Sequence, residues 1–313
     1  IMKCKLLAAT MLAAITILVG CTTQNNNNTT LIRAKKFWKG CGFIDQTGKW
    51  IIKPQFDDVW YFTENGLAVA RNKKGKYGFI DKTGKIVIKL QFDNAYSFAE
   101  NGLACVELND KYGFIDKTGN WVIKPQFDYA ARFTEYGLAC AKLNGKWGYI
   151  DQTGNWVITP QFDATYDFAQ NGLALAKLNG KHGYIDKIGK WVIKPQFDDA
   201  YNFADNGLAR VKLNDKYGYI DITGNWVIKP QFDNADDFDE DDLAPVEFNG
   251  KWGCIDETGN LVVNPQYDDV KIYENTIFFE QNGKWGIIDK NGNIVAKPQF
   301  DWVISDISRY AIY

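Results

Sequence analysis

The apolar positions of this chain run in short alternating bursts, not at helical spacing. Around residue 145, Leu138, Cys140, Trp147, Tyr149 and Val157 fall on one side of a pleated chain. Ala139, Ala141, Gly148, Ile150, Trp156 and Ile158 fall on the other. Period-two runs rich in Val, Ile, Trp and Tyr predict β-strands. Asn144-Gly145 is a hairpin signal, because a type I′ turn needs φ > 0 at both central residues. Strands are therefore expected over 138–143 and 146–151. Asp151-Gln152-Thr153-Gly154 reads as a type I turn closed by a left-handed Gly154, with a third strand over 155–158. Pro160 is expected to end the pairing, since it has no N–H. The connection PQFDATYDFAQNG then leaves room for a short fourth strand. Both faces are apolar, so each meander needs cover on both sides. Gly148, set among small residues, is expected to leave space for the Trp156 indole.

The same segment recurs along the chain, as CGFIDQTGKWIIKPQFD from 41, YGFIDKTGNWVIKPQFD from 112 and WGIIDKNGNIVAKPQFD from 285. Glycines 42, 78, 113, 148, 183, 218, 253 and 286 set a period near 35. Eight copies cover essentially everything after residue 30, so each unit's second face is covered by its neighbours. This pattern resembles the WG-repeat (KWG-repeat) family, with Lys-aromatic-Gly-aromatic-Ile-Asp-x-x-Gly, a β-run and Pro-x-aromatic-Asp. The departures are local: Cys41 and His182 replace the aromatic before Gly, Leu90 replaces Pro, and the last copy degenerates. The resemblance implies a bacterial, non-catalytic β-repeat scaffold and fixes no ligand. The expected fold is all-β, with eight tandem ~35-residue β-meanders in a solenoid-like superhelical array. A closed eight-bladed β-propeller is the alternative. LIRAKKFWKG supplies the first leading strand, and YAIY at the end resembles a ninth.

The N-terminus has a different character. Lys3 and Lys5 precede an apolar run from Leu6 to Val19, too short to span a bilayer comfortably and suited to a secretory h-region. Leu18-Val19-Gly20-Cys21 resembles the lipobox of bacterial lipoproteins, with Met2 as the start. That resemblance implies lipidation at Cys21 and removal of residues 1–20. TTQNNNNTT after it is a polar tether, so the expected organisation is signal 1–20, tether 21–30 and repeat domain 31–313. Thr22 and Thr23 do not match the Asp-type inner-membrane retention signal, which points to the outer membrane or cell surface.

Composition narrows the chemistry. The 313 residues carry a net charge of −2, with 46% hydrophobic and 15% aromatic residues. That is enough for a large core and provides no basic field for nucleic acid. His182 is the only histidine, and serine is confined to Ser97, Ser305 and Ser308, so a Ser-His-Asp triad has little material. Usual zinc ligands are lacking, and no cofactor motif is found. The repeated carboxylates Asp45, Asp81, Asp116, Asp151, Asp186, Asp221, Asp256 and Asp289 are expected to close turns; a calcium ladder is the sharper alternative. Asp163 and Asp198 represent a second set, also expected to be structural. The acidic run Asp236 to Asp242 is expected to be a solvated loop, with contact to a cation or basic partner as the alternative. Cys105 and Cys140 share a repeat position and are expected to be small buried residues, or an inter-repeat disulfide if their Cα atoms come within about 7 Å. Cys41 and Cys254 are expected to pack.

These readings favour a lipid-anchored envelope scaffold for an unknown protein or cell-surface ligand, touching the membrane through its lipid alone. Two alternatives belong to other classes. Aromatic hairpins could bind glycan or cell wall by stacking if their rings face solvent. Carboxylates could build a hydrolase, although a residue repeated eight times is a poor unique catalyst.

Overall fold

The computed structural model describes residues 15–16, 31–36, 38–273 and 276–302. The described chain is all-β: eight tandem four-stranded antiparallel sheets, one per repeat, with no helix among them. It divides into two compact units, residues 1–135 and 136–313. The second sheet shows the common plan. A two-residue lead strand, Asp58–Val59, is followed by Leu67–Arg71, Tyr77–Asp81 and Ile86–Phe92, each paired to the one before. The expected short fourth strand is therefore this lead strand, and it starts immediately after the bend that ends the preceding sheet. In the first sheet Ile15–Thr16 takes the lead position, against Lys35 and Lys36. YAIY lies outside the described residues.

The turns follow the sequence chemistry. Asn144 and Gly145 have φ of 52° and 80°, as a type I′ hairpin requires. Gly154 has φ of 89° and donates its N–H to the Asp151 carbonyl at 3.0 Å. Asp151 N–H in turn donates to the Asn155 carbonyl at 2.9 Å, completing the expected turn and bulge.

The last strand of the meander departs from expectation. It runs Trp156–Phe162, straight through Pro160. Its register against Lys146–Ile150 slips twice: Ile150 faces Trp156, Tyr149 faces Ile158 and Trp147 faces Phe162. The first slip pushes Val157 outward, 43% exposed, and puts Ile158 on the Tyr149 face. Strict alternation had put Ile158 on the other face. The second slip spans 159–161 and seats the proline in an irregular stretch of an edge strand, where its missing N–H does no harm. Leu90 occupies the proline position in Ile86–Phe92 with the same register shift, so the irregularity does not depend on proline.

Gly148 serves this bulge and not an indole. A Cβ there would lie 2.3 Å from the Ile158 carbonyl oxygen and 2.9 Å from Pro160 N. The seven counterpart glycines all meet the backbone of their own last strand in the same way.

The cores lie between successive repeats. In the first unit Phe79, Ile88 and Phe92 pack with Ala104, Val106 and Ile115 of the next copy. In the second unit Tyr184, Ile193 and Phe197 pack with Ala209, Val211 and Ile220. Burying one such Phe contributes about 1.5–3 kcal/mol. Truncating Phe197 to Ala would cost about 3–5 kcal/mol. Trp191 and Trp226 meet Phe162 and Phe197 of the preceding repeats edge-on, at 5.5 and 5.8 Å. Turn glycines complete the join: a Cβ on Gly189 would come 2.9 Å from the Ile158 side chain.

Candidate functional site

Cys21 lies outside the described residues. Asp151 accepts from the backbone N–H of Thr153 at 2.9 Å, from the Thr153 hydroxyl at 2.7 Å and from Asn155 N–H at 3.0 Å. Asp45, Asp81, Asp116, Asp221 and Asp256 repeat the pattern, and Asp186 and Asp289 keep its backbone bonds. The Thr153 hydroxyl and the turn amides hold the Asp151 carboxyl below the usual range. One oxygen of each repeated carboxylate is thus engaged by its own turn.

The second set is engaged too. Asp163 accepts from Lys146 Nζ at 2.6 Å through Oδ1, and from Gly180 N–H at 3.2 Å through Oδ2. Asp198 bonds Lys181 and, at 2.8 Å, Asn214 N–H; Asp233 bonds Lys216 and, at 2.7 Å, Asn249 N–H. Each of these carboxylates ties the lysine of one hairpin to the hairpin turn of the next copy. The lysine is the larger influence holding the Asp163 and Asp198 carboxyls low.

The departures from the repeat are mostly packed away. His182 is buried, with Nδ1 3.3 Å from the Asp198 carbonyl oxygen. Burial, reinforced by Lys177, pushes its pKa down. Cys41, Cys105, Cys140 and Cys254 are buried. Cys105 Sγ lies 3.2 Å from the Ala130 carbonyl oxygen, and burial raises the Cys254 thiol to about 12.

The acidic run is more than a solvated loop. Arg210 reaches Asp236 and Asp237, each at 3.2 Å, and its guanidinium carbon stacks 3.7 Å from the Tyr201 ring centroid. Lys290 pairs with Asp241 at 2.7 Å, while Asp239 accepts the N–H groups of Asp241 and Leu243. Burial raises the Asp237 carboxyl, against the pull of Arg210. Beside these pairs lies a cleft of about 600 Å³, lined among others by Asp205, Asp237, Asp239, Glu240, Phe203 and Tyr273. Arg210 was missed in the sequence, although the signal was there. Its position holds Val69, Cys105, Cys140 and Leu175 in other copies and Arg33 in the first, where Asp58 supplies the counter-charge, so an arginine there demanded one.

The aromatic rows do not face solvent. Trp50, Trp121, Trp156, Trp191 and Trp226 are half-buried. The regular exposed face is instead aliphatic and basic: Ile51, Val87 and Val122 with Lys53, Lys89 and Lys124 in the first unit. Val157, Val192 and Val227 with Lys194 and Lys229 follow in the second. The bulge creates this row, because each aliphatic residue is the extra one opposite the third strand.

The sequence profile described as a WG containing repeat matches residues 42–77, 77–112, 112–147, 147–181, 183–217, 217–252, 252–285 and 285–308. No curated protein sequence matches the chain. Among solved structures, a eukaryotic initiation factor is similar with a TM-score of 0.53 at 11% identity, over 83% of this chain and 81% of that one. Apo AztD from Citrobacter koseri gives 0.38 at 13% identity, over 83% and 91%. Kluyveromyces lactis Hsv2 gives 0.42 at 8% identity, over 83% and 97%. The first is a likeness of fold alone.

Proposed function

Since the chain belongs to the WG containing repeat family, we propose that it is a non-catalytic scaffold for protein interaction or adhesion, lipid-anchored at the cell envelope through Cys21. The observation that carries the scaffold reading is the division of labour within each repeat. Repeated carboxylates are bonded to their own turns and to neighbouring hairpins, while the last strand of six copies offers an aliphatic–lysine pair outward, as Val192 and Lys194. A surface of that kind suits an extended partner engaged copy by copy. Half-buried tryptophans weigh against sugar stacking. The anchor rests on the order of charged start, apolar run, small residue, cysteine and polar tract. Cleavage before Cys21 would remove Ile15–Thr16 and leave the first sheet three-stranded.

Two experiments test this reading. Cross-linking the anchored protein in living cells should capture a partner, and Val192→Glu with Val227→Glu should lose it. Capture undiminished by those charges would overturn the scaffold surface. Cys21→Ser should abolish palmitate labelling; retained label would place the lipid elsewhere.

A further inference from the structure

The first hairpin carries a turn unlike those of the later copies. Ile32–Lys36 and Gly40–Ile44 pair with Lys36 opposite Gly40, and Lys39 N–H donates to the Lys36 carbonyl at 3.0 Å. The corresponding turns begin with Asn72, Asn109, Asn144, Asn179, Asn214, Asn249 and Asn282, whereas here the sequence reads KKFWKG. Trp38 is 90% exposed and holds φ of 66°. A bulky residue in the left-handed region is a genuine outlier. Lys35, Lys36 and Lys39, all exposed, flank it in the sequence.

We propose that this turn is a docking site for an anionic lipid bilayer, with Trp38 entering the headgroup region and Lys35, Lys36 and Lys39 meeting lipid phosphates. Indole rings partition to the membrane–water interface, and clustered lysines are drawn to anionic leaflets. The site's reach follows from the anchored reading, on which this approach rests. The nine residues from Thr22 to Thr30 span at most about 30 Å when extended, so a lipid on Cys21 keeps the first hairpin close to the bilayer. Docking would fix the orientation of the first repeat on the membrane, where a tether alone would leave it to tumble.

The test is amide hydrogen exchange over residues 35–40 in the full chain. It is read alone, with phosphatidylcholine vesicles, and with vesicles containing phosphatidylglycerol. The anionic vesicles should slow exchange about fivefold or more, the phosphatidylcholine vesicles much less. Lys35→Gln with Lys36→Gln and Lys39→Gln should restore the solution rate. So should Trp38→Asn, since Asn tolerates the same φ and removes the indole. Exchange unaffected by anionic vesicles, or slowed equally in these variants, overturns the proposal. The mass of the protein purified from membranes separately reports acylation at Cys21. An unacylated Cys21 with a protected turn would sink the anchor and keep the docking site; an acylated Cys21 with an unprotected turn would do the reverse.

Discussion

A Cβ on Gly148 would sit 2.3 Å from the carbonyl oxygen of Ile158, in the bulged strand of the same sheet. No rotamer can relieve that clash, since the obstacle is backbone. Gly148→Ala should therefore destabilise the protein by about 2–3 kcal/mol, the upper range for overpacking. Gly145 offers the control. It has open space around it and a φ of 80°, which Asn accepts, so Gly145→Asn should stay within about 0.5 kcal/mol. Urea unfolding of both variants checks the contrast; equal losses would mean that the bulge backbone yields.

That glycine also marks where the sequence stops being legible. Hairpins, turns and the repeat could be read, because Asn144-Gly145 and Asp151 to Gly154 act through local dihedrals and local hydrogen bonds. The bulges could not, because Val157 and Pro160 acquire their meaning only from the register against Lys146–Ile150. One extra residue there moves Ile158 to the opposite face, and alternation along a single strand carries no sign of it. The Lys146–Asp163 pair was hidden for the same reason, since its members meet across strands. Arg210 was legible in principle, since Arg33 holds the same position in the first copy and pairs with Asp58.

The turn and hairpin carboxylates set an acid limit. Asp151, held low chiefly by Thr153, and Asp163, held low chiefly by Lys146, are more acidic folded than unfolded. Groups of this kind contribute stability above the ordinary aspartate value, about 3.9, and lose it as pH falls through their depressed folded values. Asp237, raised by burial, works in the opposite direction, losing its contribution as pH rises through the raised value. The lowered carboxylates are far more numerous. The urea midpoint should be flat above about pH 7, dip slightly through about pH 6.5 because buried His182 resists the proton that the unfolded chain takes up, and fall steeply below about pH 4. A midpoint rising toward pH 3 would contradict the assignment.

Tyr184 marks a difference between the two units. Its hydroxyl donates to the Tyr201 carbonyl at 2.6 Å, as Tyr149 and Tyr219 do to the carbonyls of Tyr166 and Asp236. The same position holds Phe43, Phe79 and Phe114 in the first unit. Tyr184→Phe keeps the ring contact with Phe203 at 4.8 Å and deletes only the bond, so it should cost about 1 kcal/mol. Calorimetry should show the loss in the second unit's transition if the units melt separately. No measurable change would mean that water replaces the hydroxyl without penalty.

Arg210 and Asp237 give the sharpest energetic test. The Arg210 side chain is only 10% exposed, while the Asp237 side chain keeps 51% exposure, so solvent screens the pair on one side. Arg210→Leu adopts the residue of Leu175 at the equivalent position, yet it strands two adjacent carboxylates, Asp236 and Asp237. It should destabilise by about 2 kcal/mol, below the full cost of breaking a buried pair. Adding Asp237→Asn removes half of that stranded charge. The double variant should therefore recover about 1 kcal/mol relative to the sum of the single losses. A double-mutant cycle in urea measures this coupling directly. Strict additivity would show that Arg210 is held by Tyr201 and the Ala235 carbonyl alone, with the acidic run making no contribution.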